Sequence, residues 1–146
     1  MPLKIVRMNE DNIHSVKEIE DRCFVSPWSL DSFKAELCKE GAYFYLAMMD
    51  ERPAGYIGFN MVLDEGYIAN VAVVEKFRRK GVARTLMEKV IATARENSLA
   101  FVSLEVRESN TPAKALYESL GFSQQGVRRN FYRNPLEDGL ILTKFL

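Results

Sequence analysis

Val82, Ala83, Leu86, Met87, Val90, Ile91 and Ala94 recur at i, i+1, i+4, i+5, i+8, i+9 and i+12, an apolar stripe down one face of an α-helix. Around that helix the period changes. LKIVRM reads as a first strand, and DNIHSVKEIEDRCF as a helix with Asn or Asp near its cap. Ser26-Pro27 breaks this helix, and Ser29 is placed to cap a second one, LDSFKAELCKE, that stops at Gly41. AYFYLAMMD, RPAGYIGFNMVLD and GYIANVAVV read as successive strands, turning at Asp50-Glu51-Arg52-Pro53 and at Asp64-Glu65-Gly66. After the helix at 82–94 come a strand AFVSLEV, a helix TPAKALYESLG, and strand-like segments FSQQGVRRNFYR and DGLILTKFL.

The resulting order, β-α-α-β-β-β-α-β-α-β-β, is an α/β or α+β mixture around one sheet. Strand, helix, strand over residues 66–106 predicts a right-handed parallel crossover. Its helix N-terminus then lies at a strand's carboxyl end, where open α/β sheets bind ligands.

Composition narrows the class. The 146 residues suit one domain, 1–146, without linker or repeat. Lys plus Arg (20) balances Asp plus Glu (20), so no overall field steers the chain to nucleic acid or a membrane. No apolar run matches a membrane span or a signal-peptide core. Cys23, Cys38 and the single histidine, His14, give neither a disulfide framework nor zinc-ligand spacing, so no metal is expected and a reduced, cytoplasmic protein is.

Anion recognition must therefore be local, and one place suits it. A helix starting near residue 82 presents free backbone N–H groups and its positive dipole end. Gly81 allows close approach there, and Arg78, Arg79, Lys80 and Arg84 add full charge. This arrangement suits a pyrophosphate, although a solvated basic turn has the same composition. Neither a G-x-x-x-x-G-K-[ST] loop nor G-x-G-x-x-G is present.

The spacing R-x-x-G-x-A from Arg78 to Ala83 resembles the pyrophosphate loop of the GNAT superfamily of N-acetyltransferases. SPWS at 26–29, NVAV at 70–73, LEVRESN at 104–110, ALYESLGF at 115–122, RRNFY and EDGLILTK extend the resemblance along the chain in order, and within the superfamily they are similar to the RimI type, which acetylates the N-terminal alanine of ribosomal proteins. The resemblance implies a GNAT-type acyl-CoA N-acyltransferase fold and acetyl-CoA as cosubstrate. It also implies pyrophosphate contacts from Arg78, Arg79, Lys80, Gly81, Val82, Ala83 and Arg84, and backbone contacts to the acetyl carbonyl and pantetheine from Val71, Ala72 and Val73. A strand edge without ladder partners can supply such contacts. Core burial is the plain structural role for Val71 and Val73, and both roles are compatible.

Two residues are candidates for the proton transfers that acetylation of an amine requires. Strand alternation puts Phe101, Ser103, Glu105 and Arg107 on one face and Val102, Leu104 and Val106 on the other. A glutamate in an apolar strand must be solvated, paired, or held in a polar pocket. Pairing with an arginine is its structural reading, and Arg107 shares its face. The resemblance makes Glu105 the base. Tyr117 shares a helix face with Ala113, Leu116 and Leu120, which is the pattern of a core aromatic. The resemblance makes its hydroxyl the acid that protonates the leaving thiolate. Asn110 precedes Thr111-Pro112 and suits a helix N-cap, and the resemblance adds a cofactor contact.

Phe24, Trp28 and Tyr43 are expected to line a pocket for a peptide N-terminus, although Trp28 equally suits a core plug. Tyr132 borders the acceptor site by resemblance, and Glu137 and Asp138 offer carboxylates to a substrate ammonium. The implied partner is a peptide or protein N-terminus, such as that of a ribosomal protein. Lysine side chains, polyamines and small metabolites are alternative acceptors for the same fold. Arg128, Arg129 and Arg133 interleaved with Phe131 and Tyr132 would suit a non-catalytic RNA- or ribosome-binding module, or an edge hairpin guarded by charge.

Overall fold

The computed structural model describes residues 2–146. Its elements are β1 (Leu3–Arg7), α1 (Ile13–Cys23), α2 (Leu30–Leu37), β2 (Ala42–Met49), β3 (Arg52–Val62), β4 (Glu65–Val73), α3 (Val82–Glu96), β5 (Phe101–Arg107), α4 (Thr111–Ser119), β6 (Ser123–Tyr132) and β7 (Glu137–Phe145), with a short 3₁₀ turn at 75–77. The order is the one read from the sequence. All seven strands lie in one mixed sheet, ordered β1-β2-β3-β4-β5-β7-β6.

Local chemistry explains the boundaries. Ser29 caps α2, its Oγ accepting from the Ser32 N–H at 3.1 Å. Asn110 caps α4 in the same way, accepting from the Ala113 N–H at 3.3 Å. At α1 the N-cap residue is Asn12, an Asn near the cap as expected, but the capping bonds differ from those at α2 and α4. Asn12 makes no side-chain cap. Instead Asn9 Oδ1 accepts from Asp11 and Asn12, and Asn12 Oδ1 accepts from Asn9, closing the turn before the helix. The β2–β3 hairpin turns through Asp50 and Glu51, both at positive φ, and Arg52 and Pro53 already belong to β3.

Helices cover both faces of the sheet. Phe44 and Tyr45 are neighbours on β2 and so point to opposite faces. Phe44 packs with Phe33 of α2 and with Trp28, whereas the Tyr45 hydroxyl meets Thr93 of α3 at 2.8 Å. The inward stripe of α3, Val82, Leu86, Met87, Val90, Ile91 and Ala94, is buried as its periodicity requires. Removing each Val, Leu, Ile or Met side chain of this stripe from water contributes about 1.5–3 kcal/mol.

The feature that creates the site is an interrupted strand pair. β4 and β5 are parallel, but they pair only from Glu65–Tyr67 to Phe101–Ser103. On its other side β4 continues along β3 to Val73, with one irregularity: Gly58 faces Asn70 while Phe59 faces Ile68, leaving Ala69 as an extra residue. Such a bulge bends and twists its strand. Pairing with β5 ends one residue before the bulge's first flank, and from there the two strands diverge.

Candidate active site

Two cavities flank the divergence. One, of about 250 Å³, is lined by Asn70 and Val71 on β4, Glu105 on β5, Asn110 and Tyr117 at α4, and Tyr132 at the end of β6, with Phe24 at its rim. The other, of about 300 Å³, is lined by Val73, Arg78, Arg79, Gly81 to Arg84, Pro112 and Leu116. β4 and α4 contribute to both.

The second cavity is built on the start of α3. Gly81 sits at the N-cap at φ +79°, and no side chain caps the first turn. A Cβ at Gly81 would meet nothing within 4 Å, so the approach to the first-turn N–H groups is open. Arg79 also adopts positive φ. Arg78 folds back, its Nε donating to the Val73 carbonyl at 2.9 Å, and Arg84 Nη2 donates to Ser119 Oγ of α4 at 2.7 Å. Lys80 is exposed outside the cavity wall. Arginine charge, unshielded amides and an apolar floor of Val73, Phe77, Val82 and Leu116 match the chemistry of a diphosphate joined to a less polar arm.

The β4 edge supplies further donors. The Val74 N–H bonds to Ala54 of β3 at 2.9 Å. Because backbone direction alternates along a strand, the N–H groups of Val73 and Val71 face the open side, while those of Ala72 face β3. The Val73 carbonyl agrees, since it accepts from Arg78 and from Cys23 Sγ across that open side.

In the first cavity, Glu105 is partly exposed and its Oε1 pairs with Arg128 Nε at 2.7 Å. Arg107 is not the partner, although it shares the face. Its guanidinium instead binds Glu137 Oε1 at 3.1 Å and the carbonyls of Arg133 and Pro135, and it stacks 4.6 Å from the Tyr132 ring. It therefore clamps the β6–β7 turn and leaves Glu105 to Arg128, which reaches from the edge strand across β7. Tyr117 is buried against Phe122, and burial, with Tyr132 nearby, pushes its phenol up to about 12. No group among the described residues hydrogen-bonds its hydroxyl, and no fully enclosed side-chain polar atom lacks a partner, so this hydroxyl reaches the open space of the cleft. Tyr132 is likewise raised, by burial first and then by Glu105.

Some expected groups are elsewhere. Trp28 is not among the residues lining the cleft; its half-buried ring packs against the core, 5.4 Å from Phe33 and 6.3 Å from Phe44. Tyr43 lies under Arg7, whose guanidinium is 4.0 Å from its ring. Of the expected aromatic trio only Phe24 reaches the cavity. Glu137 and Asp138 are engaged within the protein. Glu137 takes the Ser109 N–H at 2.6 Å along with Arg107, and the Ser109 bond leads the causes that hold its carboxyl below the usual range. Asp138 Oδ1 accepts from the Asn130 N–H at 2.8 Å. Asn70 and the buried Glu20 behind it are further polar residues at the cleft wall that are not among the candidates expected from the sequence. Glu20 was visible as the one acidic residue on the inward Ile13-Val16-Ile19-Glu20 face of α1.

An open, arginine-flanked helix start beside a cleft holding a carboxylate and a phenol suits an acyl-transfer enzyme using a nucleotide-borne donor. Comparison with known proteins gives the family. Residues 13–122 match the Acetyltransferase (GNAT) family. The [Ribosomal protein bS18]-alanine N-acetyltransferase of Escherichia coli (strain K12) is 35% identical over 135 residues, covering 92% of this chain and 89% of its own. The enzyme of the same name from Salmonella typhimurium is 38% identical over 128 residues, covering 86% and 85%. The crystal structure of the ribosomal-protein-S18-alanine N-acetyltransferase from Escherichia coli superposes with a TM-score of 0.90 at 32% identity, covering 99% of this chain and 94% of that one. The chain belongs to the GNAT acetyltransferase family. It is an acetyl-CoA-dependent N-acetyltransferase similar to the RimI type.

Proposed function

We propose that this protein transfers the acetyl group of acetyl-CoA to the α-amine of a protein N-terminus, its acceptor being the N-terminal alanine of a small-subunit ribosomal protein. The observation that carries this reading is the match over most of both chains to enzymes named for that substrate. The cleft is consistent with it, since it brings a carboxylate, a protonated phenol and strand-edge donors to one space.

Acetyl-CoA supplies an acetyl group activated as a thioester. In the proposed mechanism, Arg78, Arg79, Arg84 and the first-turn N–H groups of α3 hold the pyrophosphate, with Lys80 adding charge from outside and Gly81 and Ala83 keeping the approach clear. Val71 and Val73 offer N–H donors to the acyl carbonyl, where negative charge develops, and Ala72 holds the strand to β3. Glu105 takes a proton from the acceptor ammonium at Oε2, directly or through water, because Oε1 is engaged by Arg128. The freed amine attacks the carbonyl carbon, the C–S bond breaks, and Tyr117 gives its phenolic proton to the departing sulfur; the second proton that the nitrogen must lose to become an amide passes through water to the Tyr117 phenolate and restores it. Acetyl passes directly to nitrogen. Asn110 fixes the start of α4 and faces the same space, and Tyr132 borders the acceptor. Trp28 contributes by anchoring the α1–α2 loop that carries Phe24.

A peptide panel incubated with enzyme and acetyl-CoA, read by fragmentation mass spectrometry, tests the acceptor. Acetylation at the α-amine of alanine-initiated peptides is expected. Modification confined to lysine side chains or to small amines would replace this reading with a different acceptor class.

A further inference from the structure

Glu20 is a carboxylate buried to 2% exposure that the transfer chemistry does not use. Both its oxygens are engaged. Oε2 accepts from the Trp28 N–H at 2.9 Å, and Oε1 accepts from the Tyr56 hydroxyl at 2.5 Å. Tyr56, wholly buried on β3, accepts in turn from Asn70 Nδ2 at 3.3 Å. Asn70 lies on β4 next to the bulge residue Ala69 and lines the same cavity as Glu105 and Tyr117. A chain of hydrogen bonds thus runs from the α1–α2 loop, through the core, to the wall of the cleft.

The chain has a fixed polarity. Glu20 accepts from both of its partners, so the Tyr56 proton points to Glu20. The oxygen of Tyr56 is then left as an acceptor towards Asn70, which must present its NH₂ group. The amide is held by this choice, and its Oδ1 becomes the end available to the cleft. No other protein group among the described residues bonds the Asn70 side chain. A carbonyl oxygen held at the wall of a cleft that receives an amine is an acceptor for that amine's N–H.

We propose that Asn70 is a substrate-positioning residue whose Oδ1 accepts a hydrogen bond from the acceptor's amine, and that buried Glu20, acting through Tyr56, sets the amide in that orientation. The proposal rests on the cleft being the acceptor site, and it holds for any primary amine acceptor. Glu20 is a positioning residue, since it touches neither substrate nor the reacting atoms.

Reversing the polarity tests it. In Glu20→Gln the side-chain oxygen serves the Trp28 N–H and the new NH₂ group faces Tyr56. The Tyr56 proton then turns towards Asn70, whose amide flips and offers NH₂ to the cleft, a donor facing a donor. The KM for an alanine-initiated peptide is expected to rise about tenfold or more, with kcat and the acetyl-CoA Kd within about twofold of wild type. Adding Asn70→Asp to Glu20→Gln restores an oxygen facing the cleft and still accepts from Tyr56, so the double variant is expected to recover most of the loss. Asn70→Ala, at a half-buried position, should raise the peptide KM by a similar factor on its own. An Asn70→Ala enzyme with unchanged peptide kcat/KM overturns the proposal. So does a Glu20→Gln enzyme that loses acetyl-CoA affinity as much as peptide affinity, or a double variant that recovers nothing. If Glu20→Gln does not fold, Asn70→Ala decides alone. If wild type acetylates lysine or polyamine instead of peptide termini, the N-terminal reading fails, and the same variants are measured with that amine.

Discussion

Replacing Tyr117 by phenylalanine removes one oxygen from the cleft and leaves the packing intact. The ring is 8% exposed and lies 6.1 Å from Phe122, contacts that phenylalanine keeps. The hydroxyl has no protein hydrogen-bond partner among the described residues, so its loss strands no buried group. The stability cost is therefore below about 1 kcal/mol, a Tm change within about 2–4 °C for a chain of this size. Catalysis should respond very differently. A positioned general acid contributes about 10²–10⁴-fold, so kcat should fall by that factor while the acetyl-CoA Kd stays unchanged. The pH dependence has a definite sign. Burial raises the phenol from 10.0 to about 12, which keeps it protonated and able to donate through neutral and mildly alkaline pH. Its neutral form is favoured by the fold, so that contribution to stability is complete below the ordinary tyrosine range and is lost as pH rises through about 12. Continuous detection of the released CoA thiol under saturating substrates gives kcat, and calorimetric titration gives Kd. A phenylalanine variant with kcat within about twofold of wild type would refute the acid assignment.

Glu105→Gln keeps size and removes the base. A fall in kcat of at least about 10²-fold is expected, with stability within about 1 kcal/mol because the Arg128 pair is partly exposed; unchanged turnover would remove Glu105 from the mechanism. Gly81→Ala places an L residue at φ +79° in open space, so chemical denaturation should show a loss of about 1 kcal/mol from backbone conformation alone. The same variant should weaken acetyl-CoA binding, because the methyl group lies at the helix start; an unchanged Kd would move the pyrophosphate elsewhere. Arg79→Ala with Arg84→Ala should raise the acetyl-CoA Kd and flatten its salt dependence, measured by titration at two ionic strengths, and an unaltered salt slope would leave only the backbone as the anion site.

Much of this was legible in the sequence because it depends on local chemistry. The period of Val82 to Ala94 placed α3, Ser29 and Asn110 marked their caps, and R-x-x-G-x-A located the basic turn at the start of α3. What was not legible depends on register across several strands. Arg128 reaches Glu105 only because β6 and β5 both pair with β7, whereas Arg107, closer in sequence, is drawn to Glu137 and the β6–β7 turn. The divergence of β4 from β5 begins just before a bulge at Ala69 that no local signal in YIANVAV announces. Trp28 was ambiguous for a different reason. An aromatic beside Pro27 suits a pocket or a core equally, and the packing of Phe33 and Phe44 decides it.

Competition between two amines in one molecule distinguishes an α-amine acceptor from a lysine side chain. A peptide starting with alanine and carrying an internal lysine is incubated with enzyme and acetyl-CoA beside the same peptide with its α-amine blocked. Acetylation of the free peptide at its α-amine is expected, and none of the blocked one. Equal acetylation of both peptides, at the lysine, would contradict it.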